Sequence, residues 1–101
     1  MHINVVFRHM ESSQSLREYA EKKLEKVRPR GGKIIEVEVI YIQEKLDFIV
    51  EFLANLQGHT LKVVERDQSA FAATDVAIDK FSRQLHKIQD RSRDRKHAPT
   101  V

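Results

Sequence analysis

The stretch from Ser69 to about Arg95, SAFAATDVAIDKFSRQLHKIQDRSRDR, constrains the fold most, because two periodic patterns run along it together. Phe71, Thr74, Ile78, Phe81, Leu85 and Ile88 recur at steps of three and four residues. On a helix of about 3.6 residues per turn they form one continuous apolar stripe. Lys80, Arg83, Lys87, Arg91 and Arg95 step likewise on another face, a basic stripe five side chains long. The pattern predicts one helix that closes a core and presents positive charge outward. Taken alone, a basic helical face is equally well a solvated surface.

A chain of 101 residues is one small domain with room for a single two-layer core. No apolar run approaches the roughly 20 residues that span a bilayer, and MHINVVFRHMESS lacks the pattern of a secretory signal. With no cysteine, disulfides and thiolate metal sites are excluded, and a reducing cytoplasm is the expected location.

The formal net charge of +3 hides a strong polarity. Residues 22–33 carry six basic side chains (Lys22, Lys23, Lys26, Arg28, Arg30, Lys33) and one acid, Glu25. Residues 80–97 carry seven (Lys80, Arg83, Lys87, Arg91, Arg93, Arg95, Lys96) against Asp90 and Asp94. Residues 34–79 hold three basic and nine acidic side chains, a net of −6. Two separate basic segments point to a polyanion as the partner.

In chain order, Ile3, Val5 and Phe7 alternate with His2, Asn4, Val6 and Arg8, as in a strand with one buried face. Ser12 or Ser13 can cap a helix through SLREYAEKKLEKV, whose apolar set is Leu16, Tyr19, Ala20, Leu24 and Val27. Pro29 and Gly31-Gly32 stop it. IIEVEVIYI (34–42) reads as a strand with Val37, Val39 and Tyr41 inward, followed by a polar turn from Gln43 to Asp47. FIVEFLANL sends Val50, Phe52, Ala54 and Leu56 inward, and TLKVVE sends Leu61 and Val63. Gln57-Gly58-His59 joins these two strands, and Asp67 or Ser69 caps the long helix.

The order β-α-β-β-β-α predicts an α+β two-layer sandwich, a four-stranded sheet with both helices packed on one face. The expected domain is 1–95, with a flexible tail at 96–101. In this arrangement Lys22, Lys26 and Arg30 flank Lys80, Arg83, Lys87 and Arg91, so the two basic segments merge into one patch. A broad basic face without a groove-reading motif suits phosphate contacts, and its binding should be strongly salt-dependent. Stacking aromatics are scarce: Phe7, Phe52, Phe71 and Phe81 fall on inward faces, which leaves Phe48.

Catalysis is not expected. His2, His9, His59, His86 and His97 are scattered without ligand spacing, the acids follow strand alternation with no inward pair, and no Gly-rich phosphate loop exists. No cofactor and no metal is expected, and neither membrane nor DNA is an expected partner.

The segments MHINVVFRHMESSQSLREYAEKKLEKV and SAFAATDVAIDKFSRQLHK, with three strands between, resemble the ribosome hibernation-promoting factors, or ribosome-associated translation inhibitors. The resemblance covers residues 1 to about 90, and LREYAEKKLEKV and AIDKFSRQLHK match in both type and spacing. It implies the same β-α-β-β-β-α fold, bound in the decoding channel of the small ribosomal subunit against 16S rRNA. There such a protein occludes messenger RNA and the aminoacyl and peptidyl tRNA positions under stress or in stationary phase. It implies Lys22, Lys23, Lys26, Lys80, Arg83, Gln84 and Lys87 as the RNA-facing set, to which the two basic segments add Arg30 and Arg91. Ser69-Ala70-Phe71 departs from the family's Asp-Met-Tyr type start to the long helix, with loss of a tyrosine hydroxyl. The end at Val101, without an acidic tail or a second domain, fits a short form.

Two other classes compete. A double-stranded RNA-binding module shares the α-β-β-β-α core but starts its last helix with lysines, where this chain reads Asp67-Gln68-Ser69-Ala70. A protein-binding regulator would use the open sheet face. Alternation puts Val6, Ile40, Ile42, Ile49, Leu53 and Val64 on that face, where weak self-association is a further expectation.

Overall fold

A computed structural model describes residues 1–29 and 33–97, with side chains up to Arg91. Its elements are β1 His2–Arg8, α1 Gln14–Glu25, β2 Ile34–Glu44, β3 Asp47–Leu56, β4 His59–Asp67 and α2 Ala70–His97. The strands form one sheet in the order β1-β2-β3-β4. β2, β3 and β4 make the antiparallel meander, and β1 pairs with β2 in parallel, as α1's crossover requires. Both helices cover the same face, so the expected two-layer α+β sandwich is the observed one. α2 runs past the boundary expected at residue 95, and 98–101 of the expected tail lie outside the described residues.

Local chemistry sets the boundaries. The Ser13 hydroxyl accepts from the Leu16 N–H at 3.2 Å and starts α1. Ser69 does the same for α2 through the Ala72 N–H, while Asp67 accepts from the Ser69 N–H at 2.9 Å. Both hairpins are tighter than the sequence suggests. Lys45-Leu46 alone joins β2 to β3, with Lys45 at φ 57°, and Gln57-Gly58 joins β3 to β4, with Gly58 at φ 83°. A register shift between Ile34 and Glu36 turns Ile34 into the core and leaves Ile35 exposed.

The core lies between the sheet and the helices, built on Tyr41, Phe52, Phe81, Leu24, Leu85 and the inward valines. The Phe52 and Phe81 rings meet edge to face at 6.0 Å, and Phe7 stacks on Tyr41 at 5.6 Å. Thr74 donates to the Ala70 carbonyl at 2.7 Å, so the buried Tyr41 hydroxyl donates to Thr74 at 2.6 Å and both groups are satisfied. At the far edge of the sheet, Arg17 donates to the Val5 carbonyl at 3.1 Å, its guanidinium 5.5 Å from the Phe7 ring centroid.

The buried side of α2 differs from the expected stripe. Ala70, Ala73, Thr74, Ala77, Phe81 and Leu85 are buried, Ile78 and Ile88 are partly buried, and Phe71 is 41% exposed. Small alanines let the first turns approach the sheet closely, which rotates the large Phe71 out toward α1. Phe48, expected outside, packs partly against the core. On the open face, Ile40 is only 3% exposed because its cross-strand neighbours Val6 and Glu51 flank it. Among the described residues no helix is long and apolar enough to cross a membrane.

Candidate nucleic-acid interface

α1 and α2 diverge enough to leave an open groove of about 410 Å³ between them. Lys23, Lys26 and Arg28 line its α1 side, Asp75, Asp79, Ser82 and His86 its α2 side, with Val27 and Ile78 as apolar lining. His86 Nε2–H donates to the Arg28 carbonyl at 2.8 Å, which ties the exit of α1 to α2.

The two basic segments do not merge into one patch, as the sequence led us to expect. On α1, Lys23 and Lys26 stand on the side turned toward α2, and the exposed Lys22 lies one turn before Lys26. On α2, the residues turned toward α1 are Asp75, Asp79, Ser82 and His86. Lys80, Gln84, Lys87 and Arg91 therefore stand roughly a third of a turn or more away. Lys80 shows the direction: it pairs with Glu65 of β4, the strand farthest from β1. Arg83 stands on the crest between these sides and pairs with Asp79 one turn earlier. The helical layer is thus two basic flanks with carboxylates between them.

Three expected contact residues are engaged within the protein. Lys23 lies 3.8 Å from Asp75 and over the Tyr19 ring, Lys80 is paired with Glu65, and Arg83 with Asp79. Lys22, Lys26, Lys87 and Arg91 are exposed and carry no ion pair among the described residues; Gln84 is exposed too, and Arg30 lies outside them. Sequence reasoning missed the three carboxylates. Glu65 is the instructive one: strand alternation from Leu61 and Val63 turns it inward, where its side chain is 16% exposed and Lys80 neutralises it. Asp75 and Asp79 were legible as an i,i+4 pair one face away from the basic stripe.

Asp75 also accepts from the Tyr19 hydroxyl at 2.5 Å. That bond, more than burial or the nearby charge, raises the Tyr19 hydroxyl above its ordinary value near 10. Phe71 meets the Tyr19 ring at 5.1 Å and 81°. Among the described residues no group of three or more His, Asp or Glu side chains could hold a metal ion.

The family model for the sigma 54 modulation protein / S30EA ribosomal protein matches residues 3–93. A ribosome hibernation promoting factor from Pseudomonas putida is 34% identical over 91 residues, which is 90% of this chain and 89% of the relative. The factor of that name from Escherichia coli K12 is 29% identical over 91 residues, 90% of this chain and 96% of the relative. Among solved structures, a ribosomal subunit interface protein from Coxiella burnetii superposes with a TM-score of 0.84 at 29% identity, covering 89% of this chain and 99% of that one. The Protein Y N-terminal domain of Thermus thermophilus does so with a TM-score of 0.79 at 28% identity, covering 87% and 99%. Fold, extent and identity agree, and the chain belongs to the sigma 54 modulation / S30EA ribosomal protein family, a family of non-catalytic ribosome-binding proteins.

Proposed function

We propose that the chain is a cytoplasmic ribosome hibernation factor that lodges in the decoding channel of the small ribosomal subunit. There its helical layer holds 16S rRNA and keeps messenger RNA and tRNA from their positions under stress or in stationary phase. The observation that carries this reading is the set of exposed cations left without a carboxylate, Lys22 and Lys26 on one flank and Lys87 and Arg91 on the other. Phosphates are the complement such side chains lack, and Arg91 can fork onto two phosphate oxygens. The relatives' names point to the same partner: hibernation promoting factors, and a ribosomal subunit interface protein.

Lys23, Lys80 and Arg83 belong to the proposed contact set in a second rank, since each must first leave Asp75, Glu65 or Asp79. Gln84 and Arg30 complete it. The test is co-sedimentation with small subunits. Replacing Lys22, Lys26, Lys87 and Arg91 by Gln together should weaken association at least about a hundredfold, as loss of several phosphate contacts does. Lys45→Gln with Lys62→Gln, on the sheet, should leave it unchanged. A fourfold variant that folds normally and still pellets like the parent would sink the reading.

A further inference from the structure

Periodicity places Phe71 in the core; the structure leaves it 41% exposed, against Tyr19 of α1 and one helical turn before Asp75 of the interhelical groove. We infer that Phe71, braced by Tyr19, is a stacking site for an unpaired nucleobase of RNA. The inference deepens the proposed function and rests on it, because the RNA is the one whose phosphates meet Lys22 and Lys26.

An isolated exposed aromatic is ordinary. This ring is fixed in place. Tyr19 stands at 81° to it, so in an edge-to-face pair Tyr19 covers at most one face of Phe71. Tyr19 in turn is held through its hydroxyl, which donates to Asp75 at 2.5 Å, and Asp75 lies one helical turn after Phe71. The two rings and the carboxylate close a loop between α1 and α2. These contacts pre-position the ring, which lowers the entropic cost of stacking.

The surroundings supply the second half of a single-strand site. Lys23 lies 5.3 Å from the Tyr19 ring centroid, and Lys22 is its exposed neighbour on α1. A base seated on Phe71 brings its own backbone toward these cations. An aromatic face beside cations is the combination that single strands exploit, whereas a duplex keeps its base faces inside its own stack. Helix propensity gives no reason for phenylalanine at an exposed position in the first turn, where alanine would serve better.

The chain has no tryptophan, so Phe71→Trp installs a single reporter at the site. A short single-stranded oligoadenylate should quench its emission. A duplex RNA at equal phosphate concentration should leave it unquenched. Phe71→Leu keeps apolar bulk but loses the ring, and should weaken single-strand binding by roughly five- to a hundredfold, with Phe71→Tyr restoring it and all melting temperatures alike. Equal quenching by the duplex, or parent-like single-strand binding by Phe71→Leu, overturns the inference. Cation-dependent pelleting with small subunits is read separately: if it persists while Phe71→Leu is silent, stacking alone has failed. If the parent does not pellet, the proposed function has failed.

Discussion

The covered and the bare side of the sheet distribute charge by different rules. On the covered side the helices decide, and their cations stand on two flanks with Asp75 and Asp79 between them. On the bare side strand alternation decides, and Glu36, Glu38 and Glu51 carry no ion pair among the described residues. Beside those carboxylates lie Leu53, opposite Glu38, and the cross-strand pair Ile42 and Ile49. A polyanion is drawn to the first surface and repelled by the second, so the difference orients the molecule before any contact forms. The two surfaces also differ in how much of the fold stands behind each side chain, and that contrast can be broken experimentally.

The largest contrast is between two leucines. Leu85 of α2 is fully buried between the helix and the sheet, whereas Leu53 on the bare face is 37% exposed. Leu85→Ala should cost about 2–5 kcal/mol and Leu53→Ala below about 1 kcal/mol, read from urea or thermal unfolding. Similar losses at the two sites would mean that the bare face is covered in solution.

Next comes the one basic residue of the proposed contact set that reaches β4. Lys80→Glu sets a second carboxylate beside the inward Glu65, and should lower stability by about 1–2 kcal/mol, with a melting temperature several degrees down. Lys87→Glu, with no such partner, should not. An unchanged melting temperature for Lys80→Glu would show that the pair does not hold α2 to β4.

These comparisons also mark how much was legible in the sequence. The order of elements, the sheet's inward residues and both helix caps follow from alternation, three- and four-residue steps and capping chemistry. Phe71 and the Ala70, Ala73 and Ala77 set did not, because periodicity ranks large apolar residues as the buried ones. A helix lying close to a sheet buries its smallest. The bulge at Ile34–Ile35 was equally invisible, since two adjacent isoleucines fit either register. The nine proposed contact residues rest on charge and on resemblance. Their separation into two flanks was not legible, because it depends on the rotation of α2, which Phe71 had misreported.

A smaller effect lies inside the covered side. Tyr41→Phe removes a hydroxyl that donates to Thr74, while Thr74 keeps its bond to the Ala70 carbonyl. The expected cost is about 0.5–1.5 kcal/mol. Burial raises the Tyr41 hydroxyl above its ordinary value near 10. Below that value both folded and unfolded chains hold the proton, and the contribution is complete. As pH climbs past it the unfolded chain ionises first and the stability is lost. Tyr41→Phe should therefore flatten the alkaline decline in melting temperature; an unaltered decline would assign it to other groups.

The smallest effect concerns the bare face itself. With Ile40 enclosed, Leu53 and Val64 (46% exposed) are the exposed large apolar residues that β3 and β4 place on it. We propose that any self-association through this face is weak, and that Leu53→Lys with Val64→Lys abolishes it. Light scattering across a wide concentration range should then show the variant monomeric and the parent slightly heavier. A parent of constant monomer mass would leave the face without a second copy as partner.

Arg17 has a consequence of another kind. β1 is an outer strand, and an outer strand offers a row of unpaired backbone groups to any passing chain. By taking the Val5 carbonyl and lying against Phe7, Arg17 occupies the middle of that row. A strand arriving from a neighbouring molecule would have to displace a guanidinium that is already bonded. The opposite outer strand, β4, is guarded differently, by the charges of Lys62, Glu65, Arg66 and Asp67 along its length. Both outer strands thus carry side chains that disfavour templated addition.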